Sequence, residues 1–345
     1  MVVTQKQIAG ELGLSPATVS RALAGDPRIT EATRARVIEV SQRLGYQPNL
    51  LAAGLRTGNT RTLGLVVMDI TNSFYSELAR GVEDCAFAEG FSVILCDSDL
   101  SPEKEALYLD LLRNRRVDGV LMTPISRDPE TRRVLTDAGV PYVLIDAYDA
   151  PDDASSVTVD HVQGVGMAVR HLRACGYTRI AFAGSDPKMP SIAMMLAGYR
   201  KAMAEAGLKI EPGWISEERP DIGGGASAIS KFLALRDPPT AAIFNSDQTA
   251  FAAMRVLEER QLAIPADFAV VGYDDIPMSS LVKPNLTTVA QDKYQLGRVA
   301  ARILIHEVQD GASPMHQKVL LQPRLILRAS TRCERERRPA PDSAA

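Results

Sequence analysis

Apolar positions near the start of the chain recur every three or four places, the spacing of helices that bury one face. Ile8, Ala9 and Leu12 form such a stripe behind Thr4, a capping residue, and a short turn around Gly13 follows. Ser15 caps a second helix and Pro16 takes its first position, where a missing N–H costs nothing. At about 100° per residue, Val19, Ala22 and Leu23 share one face of it, while Ala17 and Arg21 point the opposite way. Gly25 ends this helix. Thr30 opens a third, Glu31 to Leu44, with Val37, Ile38, Val40, Ser41 and Leu44 at helical spacing and Gly45 as its stop. From Thr62 the pattern changes to short β-rich runs, "LGLVVM", "SVILCD", "DGVLMT", "YVLID", "RIAFAG", "AAIFN" and "FAVVGY". Amphipathic stretches such as Ser76 to Glu89 separate them, which predicts parallel sheets covered by helices. The expected fold is α/β: a three-helix head, then two doubly wound lobes of parallel sheet with a cleft between them.

The second helix is too short to be stable alone. Two helices meeting at a glycine turn, the second with small residues and one arginine outward, describe a helix-turn-helix. Its slim outer face suits a DNA major groove about 12 Å wide. A plain three-helix bundle with a solvated Arg21 is the alternative. After the head, "LLAAGLRTGNT" (Leu50 to Thr60) can form two helical turns between Asn49 as cap and Gly58 as stop. Leu51 and Leu55 make a narrow apolar edge, and Gly54 costs about 1 kcal/mol relative to alanine. Such a segment folds only on a partner; otherwise it is a linker.

Composition sharpens the division. A chain of 345 residues exceeds the usual size of one core. The net charge of −3 conceals a head of +3 over residues 1–60 and a body of −6, as expected of a polyanion-binding module on an acidic partner domain. No long uncharged apolar run predicts a membrane span, and Lys6 and Glu11 interrupt any signal-peptide core. Cys85, Cys96, Cys175 and Cys333 share no ligand spacing. They are expected as reduced, mostly buried thiols in a cytoplasmic protein, with Cys333 the exposed exception. No metal and no cofactor are expected. The tail "CERERRPAPDSAA" has the composition of a disordered segment.

The stretch "IAGELGLSPATVSRALAGDPRITEATRARVIEVSQRLGYQPNLLAAGLRTGNTRTLGLVV" resembles the head and hinge of LacI-type bacterial transcription regulators. The body resembles the sensor domain of that family, with "NSFYSELARGVEDCAFAEGFSVILCDSD", "VVGYDDIPMSS" and "PRLILRAST" in the expected order. The resemblance covers about residues 4–332. It implies a head at 1–48, a hinge helix at 49–60, a two-lobed periplasmic-binding-protein-like sensor at 61–332 and a tail at 333–345. The N-lobe would hold about 61–160 and 291–321, and the C-lobe about 161–290 and 322–332. It further implies a homodimer on a palindromic double-stranded DNA operator, controlled by a small-molecule effector. By position, Ser15, Pro16, Ala17, Thr18, Ser20 and Arg21, with Thr4, are the DNA-binding candidates in the head. Leu55 takes the place of a minor-groove wedge and Arg56 that of the basic residue after it. Gln7 stands where many members carry an acid, and Pro16 and Ala17 stand where side chains often read bases.

The effector-binding candidates are Asp69, Asn72, Phe74, Tyr75, Asp146, Asp160, Ser191, Met195, Asp247 and Asp274. An aromatic ring can stack on a sugar face, and carboxylates accept ligand hydroxyls. Met195 fills a position that many relatives give to arginine, and Ala147 one often bulky or basic. Without that arginine a neutral sugar or polyol is a better effector than a phosphorylated one, although Lys188 could restore a cation. Met189 and Met194 extend a soft patch, with Met194 as easily a core residue. His161 is read as structural. Rival functions are a solute receptor of the same two-lobed fold and an enzyme. Against an enzyme, no G-x-x-x-x-G-K, G-x-S-x-G or H-E-x-x-H occurs, and "GGGAS" (Gly223 to Ser227) reads as a loop leading into a helix.

Overall fold

The computed structural model describes residues 3–23, 25–46, 59–126, 128–148, 150–310, 316–331 and 333. The chain divides into two compact units, Met1–Thr60 and Arg61–Ala345.

The first unit holds helices α1 (Gln5–Leu12), α2 (Pro16–Leu23) and α3 (Glu31–Leu44). The backbone N–H of Thr4 donates to Gln7 Oε1 at 2.8 Å, so Gln7 satisfies an orphan donor at the helix start as a carboxylate would. Gly13 and Gly45 end α1 and α3 in the left-handed region, at φ 65° and 69°. Ile8, Ala9, Val19, Ala22, Val37 and Val40 form the core. Ile38 departs from expectation: one step past Val37 it is turned out and 41 % exposed. The buried neighbour is Ser41, whose hydroxyl donates to Val37 O at 2.7 Å.

The second unit contains twelve strands among the described residues, in two six-stranded sheets. The first has the order β11-β5-β4-β3-β1-β2, from β1 (Thr62–Val67), β2 (Ser92–Asp97), β3 (Gly119–Met122), β4 (Tyr142–Ile145), β5 (Ser155–Val159) and β11 (Lys318–Leu321). The second has the order β12-β10-β9-β8-β6-β7, from β6 (Ile180–Gly184), β7 (Ile215–Glu217), β8 (Ala241–Phe244), β9 (Ala269–Asp274), β10 (Thr287–Ala290) and β12 (Arg324–Ile326). All pairings are parallel except β10 with β12, where Ala290 lies opposite Arg324. Seven strands carry the apolar runs noted in the sequence. The other five mix polar with apolar residues, as β5 (SSVTV) and β10 (TTVA) do, and gain their place from neighbours. The chain passes between the sheets at Asp160, at Gln291–Asp292 and at Gln322–Pro323.

Helix Ser73–Ala88 begins before Ser76, because Asn72 Oδ1 accepts the Phe74 N–H at 3.0 Å and caps it there. It crosses helix Lys293–Asp310 at two glycines. A Cβ on Gly81 would overlap the Tyr294 carbonyl oxygen, and one on Gly297 that of Leu78. "GGGAS" is not a loop: it lies in helix Ile222–Leu233, whose cap Asp221 accepts the Gly224 N–H at 2.8 Å. The glycines allow close packing, since a Cβ on Gly225 would meet the Thr249 carbonyl oxygen. No helix among the described residues is long and apolar enough to cross a membrane. The four-thiol expectation is also corrected: Cys175 and Cys333 form a disulfide, while Cys85 and Cys96 are free. Folding brings together two sulfurs that lie 158 residues apart in sequence.

Glu105, in helix Pro102–Asn114, is fully buried and accepts the Ile125 N–H at 3.0 Å through Oε2. Its Oε1 has no partner. Burial pushes its pKa up to about 7, against the pull of the Ile125 N–H and Arg132. The folded state therefore holds a proton that the unfolded chain releases above pH 4.5, and stability falls as pH rises from there to about 7. Glu105→Gln is expected to remove that loss. The variant should be more stable than the parent at pH 8 by about 3 kcal/mol and nearly equal at pH 4, read by denaturant unfolding at both pH values.

Candidate functional site

In the head, the outer face of α2 presents Ser15, Pro16, Ala17 and Arg21 to solvent, with Thr18 half-buried. Ser15 Oγ accepts the Thr18 N–H at 3.0 Å and contacts Thr18 Oγ1 at 2.9 Å, fixing the start of the helix. Thr4 stands at the start of α1, its hydroxyl donating to Gln7 Oε1 at 3.1 Å. Ser20 is corrected: it is buried at 8 % exposure, turned inward beside Val19, and not placed to hold a phosphate. Leu55 and Arg56 lie outside the described residues.

The charges of the head are sorted by internal pairing. Arg28 pairs with Asp26 at 2.7 Å, Arg34 with Glu31 at 3.0 Å and Arg43 with Glu11 at 2.7 Å. The Arg28 guanidinium holds the Asp26 carboxyl down at about 2. Among the described residues Arg21 joins none of these pairs, as Lys6 and Arg36 do not. It is the basic side chain carried on the outer face of α2, where its fork of donors can meet an outside acceptor. A rigid helix with a low profile and one unspent arginine can enter a groove and bond a guanine edge.

In the second unit a cleft of about 550 Å³, open solvent included, lies where both sheets end. Asp69, Asn72, Phe74, Tyr75, Asp146, Ser191, Met195 and Asp274 all line it. They come from four chain segments, most of them just past the carboxyl end of a strand or in the first turn of a helix. Phe74 and Tyr75 meet edge to face with ring centroids 5.0 Å apart. Asp69 Oδ1 is held by the Thr71 N–H at 2.9 Å and the Thr71 hydroxyl at 2.6 Å. His161 is structural: Nε2 donates to Asp146 Oδ1 at 2.6 Å, and Nδ1 accepts from the Tyr273 hydroxyl at 2.9 Å. Asp146 sits at φ 61° and Asp274 at φ 111°, backbone conformations that few side chains adopt. Asp274 Oδ1 accepts from Gln291 Nε2 at 2.7 Å, and the buried Lys293 ammonium donates to the Asp274 carbonyl at 2.7 Å. Burial and then the Asp247 carboxylate hold Asp274 well toward its neutral form, opposed by Lys293. Gln291 Oε1 lines the same cleft, buried and without a partner.

Two expected cleft residues lie elsewhere. Asp160 does not line the cleft; it caps helix His161–Ala174, accepting the Gln163 N–H at 2.8 Å. Asp247 is also outside, fully buried beneath the cleft floor, where it braces that floor. Its Oδ2 takes the Ile276 N–H at 2.8 Å and the Ser279 hydroxyl at 2.6 Å, and its Oδ1 takes the Thr288 hydroxyl at 2.5 Å. Gly272 leaves the room, since a Cβ there would overlap Asp247 Oδ1. Burial pushes Asp247 up to about 6 against these three donors.

Asn245, Ser246, Gln291, Leu100 and Pro220 line the cleft and were not picked out as ligands. For Asn245 and Ser246 a signal exists, since they follow the apolar run "AAIF" at a strand end. For Leu100 and Pro220 there is none. Met189 and Met195 line the cleft; Met194 does not. Lys188 is exposed, and no lysine or arginine is among the lining side chains of the described residues. The site can accept hydrogen bonds from several hydroxyls and stack a ring, and it offers no cation to a phosphate.

Comparison with known proteins agrees with this architecture. Residues 4–49 match the family "Bacterial regulatory proteins, lacI family", and residues 169–331 match "Periplasmic binding protein-like domain". Catabolite control protein A of Priestia megaterium is 35% identical over 305 residues, 88% of this chain and 92% of that protein. The lac repressor dimer bound to operator and the anti-inducer ONPF superposes with a TM-score of 0.84 at 27% identity, covering 96% of this chain and 99% of the other. The complex of the transcriptional regulator CelR with cellobiose superposes with a TM-score of 0.73 at 29% identity, covering 95% and 99%. A solute receptor would leave the helix-turn-helix without a use, and these relatives are regulators rather than enzymes. The chain belongs to the LacI family of bacterial regulatory proteins, as a DNA-binding transcription regulator.

Proposed function

We propose that this protein is a cytoplasmic repressor that binds a palindromic operator as a homodimer and is controlled by a neutral, hydroxylated small molecule, a sugar or polyol. The observation that carries the effector class is the cleft lining. Asp69, Asp146 and Asp274 face one space together with the unpartnered Gln291 Oε1, and among the described residues no lysine or arginine joins them. Met195, buried at 4 %, occupies with a thioether a position where an anion would need a guanidinium. The cellobiose bound by CelR is of the same chemical class. Isothermal titration of the full chain against a panel of neutral sugars and polyols and the matching phosphates tests this. Binding of the phosphorylated series alone would overturn it.

Each subunit would place α2 in one major groove, with residues 49–60 as the hinge segment entering the minor groove between them. The dimeric lac repressor on its operator supports that arrangement. Leu55 would act as an apolar wedge that unstacks a base step and recovers the cost through wider contact. Leu55→Ala is expected to weaken operator binding while effector affinity stays at the parental value, read by gel shift and calorimetry on one preparation. Effector binding would close the two lobes about the crossovers at Asp160, Gln291–Asp292 and Gln322–Pro323. A ligand shifts that equilibrium only by its differential affinity for the two states, typically about 1–3 kcal/mol. Operator affinity should fall steeply with salt, because two basic heads each displace counterions. A flat salt response would overturn the DNA-binding arrangement.

A further inference from the structure

Away from the cleft, the end of helix His161–Ala174 carries a second chemical cluster. His171, Cys175 and Cys333 bring their ligand atoms within 4.8 Å of one another. Cys175 follows the helix and is buried, whereas Cys333 is partly exposed and reaches it from the segment after β12. The His171 ring lies against the Cys175 sulfur, with Nδ1 at 3.8 Å and Nε2 at 3.7 Å.

A chain of hydroxyls sets the state of that ring. The Thr287 hydroxyl donates to the Arg328 carbonyl at 3.0 Å, so its oxygen accepts from the Thr331 hydroxyl at 2.8 Å. With its own proton given away, Thr331 Oγ1 accepts from His171 Nε2 at 2.8 Å. In the neutral ring Nδ1 then carries a lone pair and not a proton. The same segment is fastened to the second sheet elsewhere. The Ser330 hydroxyl donates to Val270 O at 2.6 Å and accepts the Thr287 N–H at 2.8 Å. Ser330 and Thr331, just before Cys333, are therefore held against the second sheet.

We propose that Cys175 and Cys333 form a redox-responsive clasp, closed by a peroxide and opened by a dithiol reductant, with His171 as the base beside the reacting thiol. In the closing step the Cys175 thiolate attacks hydrogen peroxide, the O–O bond breaks, and the departing hydroxide leaves as water, giving a sulfenic acid. The Cys333 thiol then displaces a second water from that sulfur and the S–S bond forms. Two thiols give up two electrons and two protons, and one peroxide becomes two waters. The other cysteines are poorly suited to this chemistry. Cys85 and Cys96 are free thiols, and neither belongs to a cluster with a histidine and a second sulfur as Cys175 does. Closing the clasp restrains the unfolded chain across 158 residues and pins the segment after β12 to the end of helix His161–Ala174.

The full chain, reduced with dithiothreitol and freed of it, is treated with stoichiometric hydrogen peroxide, then alkylated in denaturant and mapped by peptide mass. The expected result is loss of alkylation at Cys175 and Cys333 together, with a linked peptide, while Cys85 and Cys96 remain alkylated. The oxidised protein should melt several degrees above the reduced one, and Cys333→Ser should abolish both the link and the difference. Alkylation of all four cysteines after peroxide, a link to Cys85, Cys96 or a second chain, or equal melting of the two forms would overturn the proposal. So would one zinc ion per chain in the reduced protein, released by a chelator and absent from Cys333→Ser, which would make the cluster a metal site instead.

Discussion

Arg21→Ala is expected to lower operator affinity by about 1–3 kcal/mol per half-site and to relax the preference for one base pair in each half. Arg21 is exposed on α2, beside residues too small to compete for the groove, and the three arginine–acid pairs of the head leave it out. A dimer loses the contact twice, so the combined loss is about thirtyfold at the lower end of that range. Because Val19 and Ala22 hold α2 from its other face, the head should keep its melting behaviour. The measurement is operator selection from random DNA with parent and variant, followed by titration on the selected site and its single-base variants. Equal weakening on every sequence would assign Arg21 to phosphate contact.

Asp274→Ala is expected to lower effector affinity about 10- to 150-fold while operator binding without effector stays at the parental value. The carboxyl is 5 % exposed, ends β9 at the cleft and is buttressed by Gln291. Its removal takes away a hydrogen-bonding partner and leaves the Gln291 amide unsatisfied as well. The backbone there, at φ 111°, penalises alanine, so Asp274→Asn is the companion variant that tolerates the conformation and keeps the shape. Calorimetry with the sugar or polyol found to bind, beside a thermal melt, separates lost recognition from lost structure. Parental affinity in the alanine variant would remove Asp274 from the site.

The three head helices were legible because every signal for them is local. Caps at Thr4, Ser15 and Thr30, stops at Gly13 and Gly45, and a 3.6-residue stripe act within a single turn or between neighbouring turns. Six of the seven apolar strands were legible for a similar reason, since strands covered on both faces must be apolar throughout; β2, at the sheet edge, is apolar although Leu95 is exposed. Eight of ten expected cleft residues line the cleft, most because they follow apolar runs, and strand ends are where sheets of this topology open.

Other features depended on what folding brings together. A buried carboxylate and a cleft carboxylate look alike in a sequence. Asp247 became structural because Gly272 leaves it room and Ser279, Thr288 and the Ile276 amide, 29 to 41 residues away, surround it. Ser20 resembles a phosphate contact by its position, and only the packing of α2 buries it, between buried Val19 and exposed Arg21. The orphan Gln291 oxygen, the short edge strands and the meeting of His171, Cys175 and Cys333 are likewise contacts between distant segments. By itself the sequence determined the local elements, their order and the apolar faces they must bury, because those follow from the chemistry of neighbouring residues. Only the tertiary structure decided which polar groups face the cleft, which are consumed in holding it and which sulfurs meet, because burial and hydrogen bonding are set by partners the chain brings from far away.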